Sequence, residues 1–263
     1  MTHITSRENK ILKHIAKLQN SRSYRDRHGE YIAEGARLCA DALAMAGELV
    51  SCAVATEEFL AANREFEKKL DNLKITLYIV SEKIFKNISD TQTPQGILAV
   101  MRRGAYGDKT NGAPGSARPT NILILDGISE PGNMGTILRT ANALGYRVML
   151  TGGCVDIYNP KVVRTAMGAV FCADVVHITD TGETIGKLKS AGFTVIAAAL
   201  ENSVDIAGAE VGGKVALVIG SEANGISEEI LNLADICVKI PMRNGAESLN
   251  AAVAAGILMY HFT

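Results

Sequence analysis

Six apolar runs in the second half of the chain constrain its fold most. They are "NILILDGI", "RVMLTG", "DVVHI", "TVIAAAL", "VALVIG" and "ICVKIP", between residues 121 and 241. Each is short and nearly continuous, without the alternation of a half-exposed strand. Strands buried on both faces of a parallel sheet read this way. Helical segments lie between most of them, so the region reads as an α/β sheet flanked by helices. Ligands of such sheets bind beyond the carboxyl ends of the strands. Candidate chemistry is therefore expected where a strand runs into a polar, glycine-containing loop.

The first half is a smaller α/β domain. Residues 6–19 carry Ile11, Leu12, Ile15 and Leu18 at helical spacing. "YIAEG", "LVSCAVA", "ITLYIV" and "GILAVM" read as strands, and "ARLCADALAMAG" and residues 57–70 as helices. Residues 105–120, within a stretch rich in Gly and Pro, read as a linker. The expected organisation is a small domain over 1–104, this linker, and a larger domain over 121–263.

Bulk properties narrow the class. No apolar run approaches the roughly 18 residues of a membrane span, and "MTHITSRENK" lacks the apolar core of a signal peptide. Five scattered cysteines without a CxxC fit reduced thiols in a cytoplasm, and neither they nor the five histidines have metal-ligand spacing. No metal is expected. Net charge is −1, but residues 1–30 hold seven Lys and Arg against three acids. Such an arm is either a phosphate-binding surface or a solvated helix face; on the first reading Arg22, Arg25 and Arg27 are the phosphate-contacting candidates.

Three strand-end loops stand out. In "ILDGISEPGNMGTILRTANALGY" (124–146) a strand ends at Asp126 and a helix follows. Asn133 is placed to cap that helix. Its free N–H groups, with Arg139, suit an anion, although Arg139 is equally read as a solvated side chain. Neither GxGxxG nor a GK[ST] loop occurs, so a nucleotide-binding dehydrogenase is disfavoured. In "ALVIGSEANGIS" (216–227), Glu222 follows a buried strand between two glycines. Its carboxylate requires hydrogen bonds or a charge partner, and Arg139 is available. In "IPMRNGAESLNAAVAAGILMY" (240–260), Ser248 is a candidate cap for the last helix. Asn250 is a poor helix-interior residue, and the Ala and Gly that follow permit close approach by a neighbouring backbone.

Together and in this order the three stretches resemble the motifs of the SpoU (TrmH) family of RNA ribose 2′-O-methyltransferases, of the SPOUT class. The matching pieces are Asn133-x-Gly135 with Arg139-Thr140-Ala141, Gly220-x-Glu222-x-x-Gly225, and Ile240-Pro241-Met242 with Ser248-Leu249-Asn250. "YNPKVVRTAMGAVF" (158–171) resembles the family's middle segment, and "SRENKILKHI" with "YIAEG" its N-terminal RNA-binding domain. Glu130 stands where the family usually has Asn or Asp, and Ala166 where Ser is common. The resemblance implies a trefoil knot, which ordinary topology rules would exclude, and a homodimer with active sites at the subunit interface. It implies S-adenosylmethionine as cofactor, with Gly220, Ile240 and Leu249 contacting it. Arg139 would serve the ribose hydroxyl, Asn133 and Glu222 would orient it, and Ser248 and Asn250 would position the ribose. The substrate implied is rRNA, most simply 23S rRNA; a tRNA 2′-O-methyltransferase and a non-catalytic RNA-binding protein of the same fold are the rival expectations.

Overall fold

The computed structural model describes residues 1–104, 121–244 and 248–263; the expected linker, 105–120, lies outside them. The chain divides into two compact units. One comprises Met1–Gly104 with Asp156–Cys172, the other Ala105–Val155 with Ala173–Thr263.

The first unit runs β1 (Thr2–Ile4), α1 (Lys10–Asn20), α2 (Arg22–His28), β2 (Glu30–Glu34), α3 (Ala36–Met45), β3 (Val50–Thr56), α4 (Glu57–Ala62), α5 (Arg64–Asn72), β4 (Thr76–Val80), α6 (Glu82–Ile88) and β5 (Ile97–Arg102). Its sheet has the order β1-β4-β3-β5-β2, parallel on the β1 side and antiparallel across β5. Leu12, Ile15 and Leu18 of α1 are buried in the core with Val54, Phe85, Leu98 and Val100. The helix expected over 57–70 is two helices: the chain leaves helical geometry at Asn63, whose side chain bonds back to the Phe59 carbonyl at 2.9 Å.

The second unit runs β6 (Asn121–Asp126), α7 (Pro131–Ala143) and β7 (Tyr146–Leu150), and, after a helix α8 (Pro160–Ala166) that belongs to the first unit, β8 (Val175–His177), α9 (Thr181–Ser190), β9 (Phe193–Ala198), β10 (Val204–Asp205), β11 (Lys214–Gly220), α10 (Glu228–Leu233), β12 (Ile236–Lys239) and α11 (Ala251–His261). The six apolar runs are six of its seven strands. Every pairing in the order β10-β12-β9-β11-β6-β7-β8 is parallel. All strand carboxyl ends therefore share one edge. α11 packs on α7 and β11. The carbonyls of Met259 and Phe262 accept from Tyr146 Oη (3.0 Å) and Asn121 Nδ2 (2.8 Å). Ala252 and Ala255 are buried, but among the described residues a Cβ on Gly256 would meet nothing closer than Thr140 at 4.0 Å, so their contacts do not demand that glycine.

The expected boundary at 121 is thus corrected in one respect. Asp156–Cys172 belongs with the N-terminal sheet, although the sequence reading places it in the larger domain. The reason is specific bonding. Arg25 holds Asp156, Tyr158 lies 4.6 Å from the ring of Tyr31, and Arg164 pairs with Asp90 at 2.8 Å. Among the described residues no helix is long and apolar enough to cross a membrane.

Candidate active site

The site lies at the strand-end edge of the second unit, where the loops after β6 and β11 and the start of α11 meet. At the end of β11, Ser221 and Gly225 exchange backbone hydrogen bonds (3.1 and 2.9 Å), closing a tight turn. A Cβ on Gly220 would lie 2.2 Å from the Gly225 carbonyl, so only glycine fits there. This turn presents Glu222.

Glu222 Oε1 accepts three hydrogen bonds: from Asn133 Nδ2 (2.9 Å), Asn250 Nδ2 (2.8 Å) and the Ala251 N–H (3.0 Å). Asn250 Nδ2 also donates to Asn133 Oδ1 at 2.8 Å. One carboxylate oxygen therefore ties together residues from all three sequence motifs. The network sets both amide orientations, since every donor has an acceptor only one way round.

The helix starts differ from expectation. Glu130, not Asn133, caps α7: its Oε2 accepts from the Asn133 N–H at 2.6 Å, and Pro131 follows at the first helical position. Asn133 sits inside the first turn, buried, which frees its amide to reach Glu222. An anion at this helix start would meet the Glu130 carboxylate, so the anion reading of α7 is not retained. α11 is capped by Asn250, not Ser248; Asn250 Oδ1 accepts from Ala252 and Val253. The negative Glu222 beside the same turn also suits the helix dipole.

Arg139 is exposed on α7 and makes no ion pair with Glu222; no described residue pairs with it. It lies six residues beyond Asn133, about 9 Å along the axis and about 120° around it. The expectation that Asn133 and Glu222 orient Arg139 within the chain is thus not met: both are engaged by neutral N–H groups instead. Ser248 is exposed, and no hydrogen bond of its side chain to a described residue occurs. Ile240 and Leu249 are half-buried apolar side chains just beyond β12 and just before α11. The connecting residues 245–247 lie outside the described set.

Of the three arginines in the basic arm, Arg25 is corrected. It is buried, with Nε and Nη2 both 2.8 Å from Asp156 Oδ2 and Nη1 donating to the carbonyls of Leu18 (2.7 Å) and Gln19 (3.1 Å). Buried, and with four of its five N–H groups engaged within the chain, this guanidinium is not placed to meet RNA. Arg22 and Arg27 are exposed. Cysteine chemistry is disfavoured as well. Burial, then the Glu30 charge, pushes the Cys52 thiol up to about 12; burial raises Cys154 and, further still, Cys39. None of these three supplies a thiolate near neutral pH. Among the described residues no cluster of His, Cys, Asp and Glu suits a metal ion.

The model of the SpoU rRNA methylase family matches residues 120–260, more than half of the chain. The chain belongs to that family. A second model, that of an MRM3-like substrate binding domain, matches residues 9–99. The 23S rRNA (guanosine(2553)-2′-O)-methyltransferase RlmP of Bacillus subtilis is 31% identical, over 99% of both chains. An AdoMet-bound rRNA methyltransferase from Sinorhizobium meliloti superposes with a TM-score of 0.83 at 28% identity, over 99% of this chain and 96% of that one. An RNA 2′-O ribose methyltransferase superposes with a TM-score of 0.80 at 30% identity, over 99% and 97%. This SpoU chain shares the α/β fold of those methyltransferases, with its parallel sheet flanked by helices.

Proposed function

We propose that this SpoU-family chain transfers a methyl group from S-adenosylmethionine to a ribose 2′-hydroxyl of rRNA, most simply 23S rRNA. The observation that carries the reading is the Glu222 hub, which joins the three SpoU motifs at the carboxyl edge of a parallel sheet. The B. subtilis relative, named for methylation of a 23S rRNA guanosine, and the MRM3-like substrate-binding match support the choice of rRNA over tRNA.

The residues present suit the cofactor. An adenosine needs apolar walls and backbone polar groups rather than a metal or a strong charge. Half-buried Ile240 and Leu249, with the backbone beyond Gly220, supply walls and polar groups on the shared strand-end edge. When bound, S-adenosylmethionine supplies the electrophilic methyl and its thioether leaving group. The chain's own part is alignment and charge. Glu222, Asn133 and Asn250 are positioning residues that hold the two loops and the mouth of α11 rigid. The Asn250 amide is engaged at both ends within the chain, so its part toward the ribose is to hold the start of α11 in place. Of the candidate site residues, Arg139 and Ser248 make no side-chain bond to a described residue and are assigned to the substrate. A guanidinium with a pKa above about 12 is a poor base. Arg139 is therefore assigned to the phosphate beside the target ribose, which receives the hydroxyl proton.

A homodimer accompanies this reading. Val253, Ile257 and Tyr260 form an exposed stripe along α11, 50%, 41% and 77% accessible, as a helix does when a second copy covers it. The trefoil knot and a cytoplasmic location belong to the same reading.

Transfer of labelled methyl from S-adenosylmethionine to unmodified 23S rRNA and to tRNA, followed by alkaline hydrolysis, tests it. Label in alkali-resistant dinucleotides of rRNA is the expected result. Label confined to tRNA overturns the substrate, and failure to bind S-adenosylmethionine overturns the enzyme reading in favour of a non-catalytic RNA-binding protein. Arg139→Ala is expected to abolish turnover while leaving S-adenosylmethionine affinity within about two-fold; a variant that keeps most of its rate removes the assignment.

A further inference from the structure

The first unit carries a ring cluster that the site above does not use. Tyr24 and His28 stand one turn apart on α2, their rings 4.1 Å apart and inclined by 31°. His14 of α1 meets both edge-on, at 5.6 and 5.2 Å. A chain of hydrogen bonds fixes the arrangement. Tyr24 Oη lies 3.0 Å from His14 Nδ1, and His14 Nε2 lies 2.8 Å from Glu30 Oε2. Ser51 donates to the other Glu30 oxygen at 2.7 Å. Tyr24 is half-buried against the core, whereas His28, at the end of the stack, is exposed.

The surrounding charge is positive and partly uncompensated. Lys17 Nζ lies 5.5 Å from the Tyr24 ring centroid. Lys13 is paired with Glu8, and Asp26 with Arg22 and Arg103. Lys10, Lys17 and Arg27 are exposed and have no carboxylate partner among the described residues. An aromatic pair that served only to brace a seven-residue helix would need neither the hydrogen-bonded relay beneath it nor the unpaired cations around it. A pre-set ring stack with an exposed end residue and a cation beside it is what an unstacked nucleobase and its phosphates require.

We infer that Tyr24 and His28 form a stacking platform for one unpaired base of the RNA substrate, with Lys17 and Arg27 holding the flanking phosphates. This rests on the reading of the substrate as RNA and adds the place where an unpaired segment is gripped. His28 lies on the surface, so replacing it leaves the fold intact. For His28→Ala the KM for 23S rRNA rises roughly ten-fold, as expected for loss of one base–aromatic stack. The kcat and the affinity for S-adenosylmethionine stay as they were. His28→Phe, which keeps a π-face without charge, restores most of the loss. Binding of a single-stranded oligoribonucleotide to the full chain falls in the same order, and binding of a duplex does not change.

An unchanged KM and unchanged oligonucleotide binding in His28→Ala would overturn the platform, as would a His28→Phe variant no better than alanine. Lost methylation of ribosomal particles with unaltered binding of naked RNA would also overturn it, because the face would then meet a protein. Should the wild-type chain methylate no RNA, the oligonucleotide comparison still decides the platform, separately from the proposed reaction.

Discussion

Two polar networks tie loops to regular structure in this chain, and they are built on opposite plans. Around Arg25, a buried guanidinium holds Asp156 with two nitrogens on one oxygen, while the third reaches two carbonyls of α1. Around Glu222, one carboxylate oxygen collects three N–H groups, with no cation among the described residues, in a turn that stays exposed. A buried ion pair cannot open without leaving a charge in apolar surroundings, so the first network is a fixed joint. The second borders solvent, and its second carboxylate oxygen accepts from no described residue. The joint fastens Asp156 to helices α1 and α2 of the first unit; the hub ties the turn after β11 to α7 and α11.

The difference is broken first by removing Arg25. Arg25→Ala leaves Asp156 buried and unpaired, and stability falls by about 3–5 kcal/mol. Urea unfolding reads this directly. Replacing Arg25 and Asp156 together by Met and Leu recovers most of the loss, whereas Arg22→Ala and Arg27→Ala each shift stability by less than about 0.5 kcal/mol. An Arg25→Ala chain as stable as the wild type would show that this network is no joint. Glu222→Ala comes next. It leaves three donors without their acceptor, yet water reaches the turn, so the stability cost is smaller, about 1–2 kcal/mol. Methyl transfer, in contrast, should be nearly lost, because the turn after β11 is then no longer tied to Asn133 and to the start of α11. If activity survives Glu222→Ala with stability reduced, the hub is only scaffolding.

Most of the sheet was legible because burial on both faces imposes continuous apolar runs. Six of the seven strands of the second unit announce themselves this way; β10, two exposed residues long, carries no such pattern. Three of the named residues, Asn133, Glu222 and Asn250, do meet, but their bonds were not legible. Their loops at strand ends and the SpoU resemblance put them together, yet nothing in a linear pattern tells that Glu222 would choose amides over Arg139. Charge misled most. Arg25 sits among six other basic residues and reads like them, but its partner lies 131 residues away in a segment assigned to another domain. The Tyr24 and His28 pair was legible in principle, since aromatic rings four residues apart share a helix face, but the basic residues around it drew the reading instead.

The smallest effect concerns Glu130, and it sharpens the contrast between capping and catalysis. Glu130 departs from the Asn or Asp that the SpoU resemblance leads one to expect, yet its longer carboxylate still reaches the Asn133 N–H at 2.6 Å by folding back over Gly132, where a Cβ would lie 2.8 Å from Oε2. An Asp at this position has one methylene less and caps without that fold. Glu130→Asp should therefore leave both melting temperature and methyl transfer almost unchanged. Glu130→Ala loses the cap and about 1 kcal/mol of stability. Its effect on rate should be modest, because Asn133 is held from the other side by Glu222 and Asn250. A rate loss in Glu130→Ala as deep as that of Glu222→Ala would mean that the α7 cap, not the Glu222 hub, sets the geometry of the mouth.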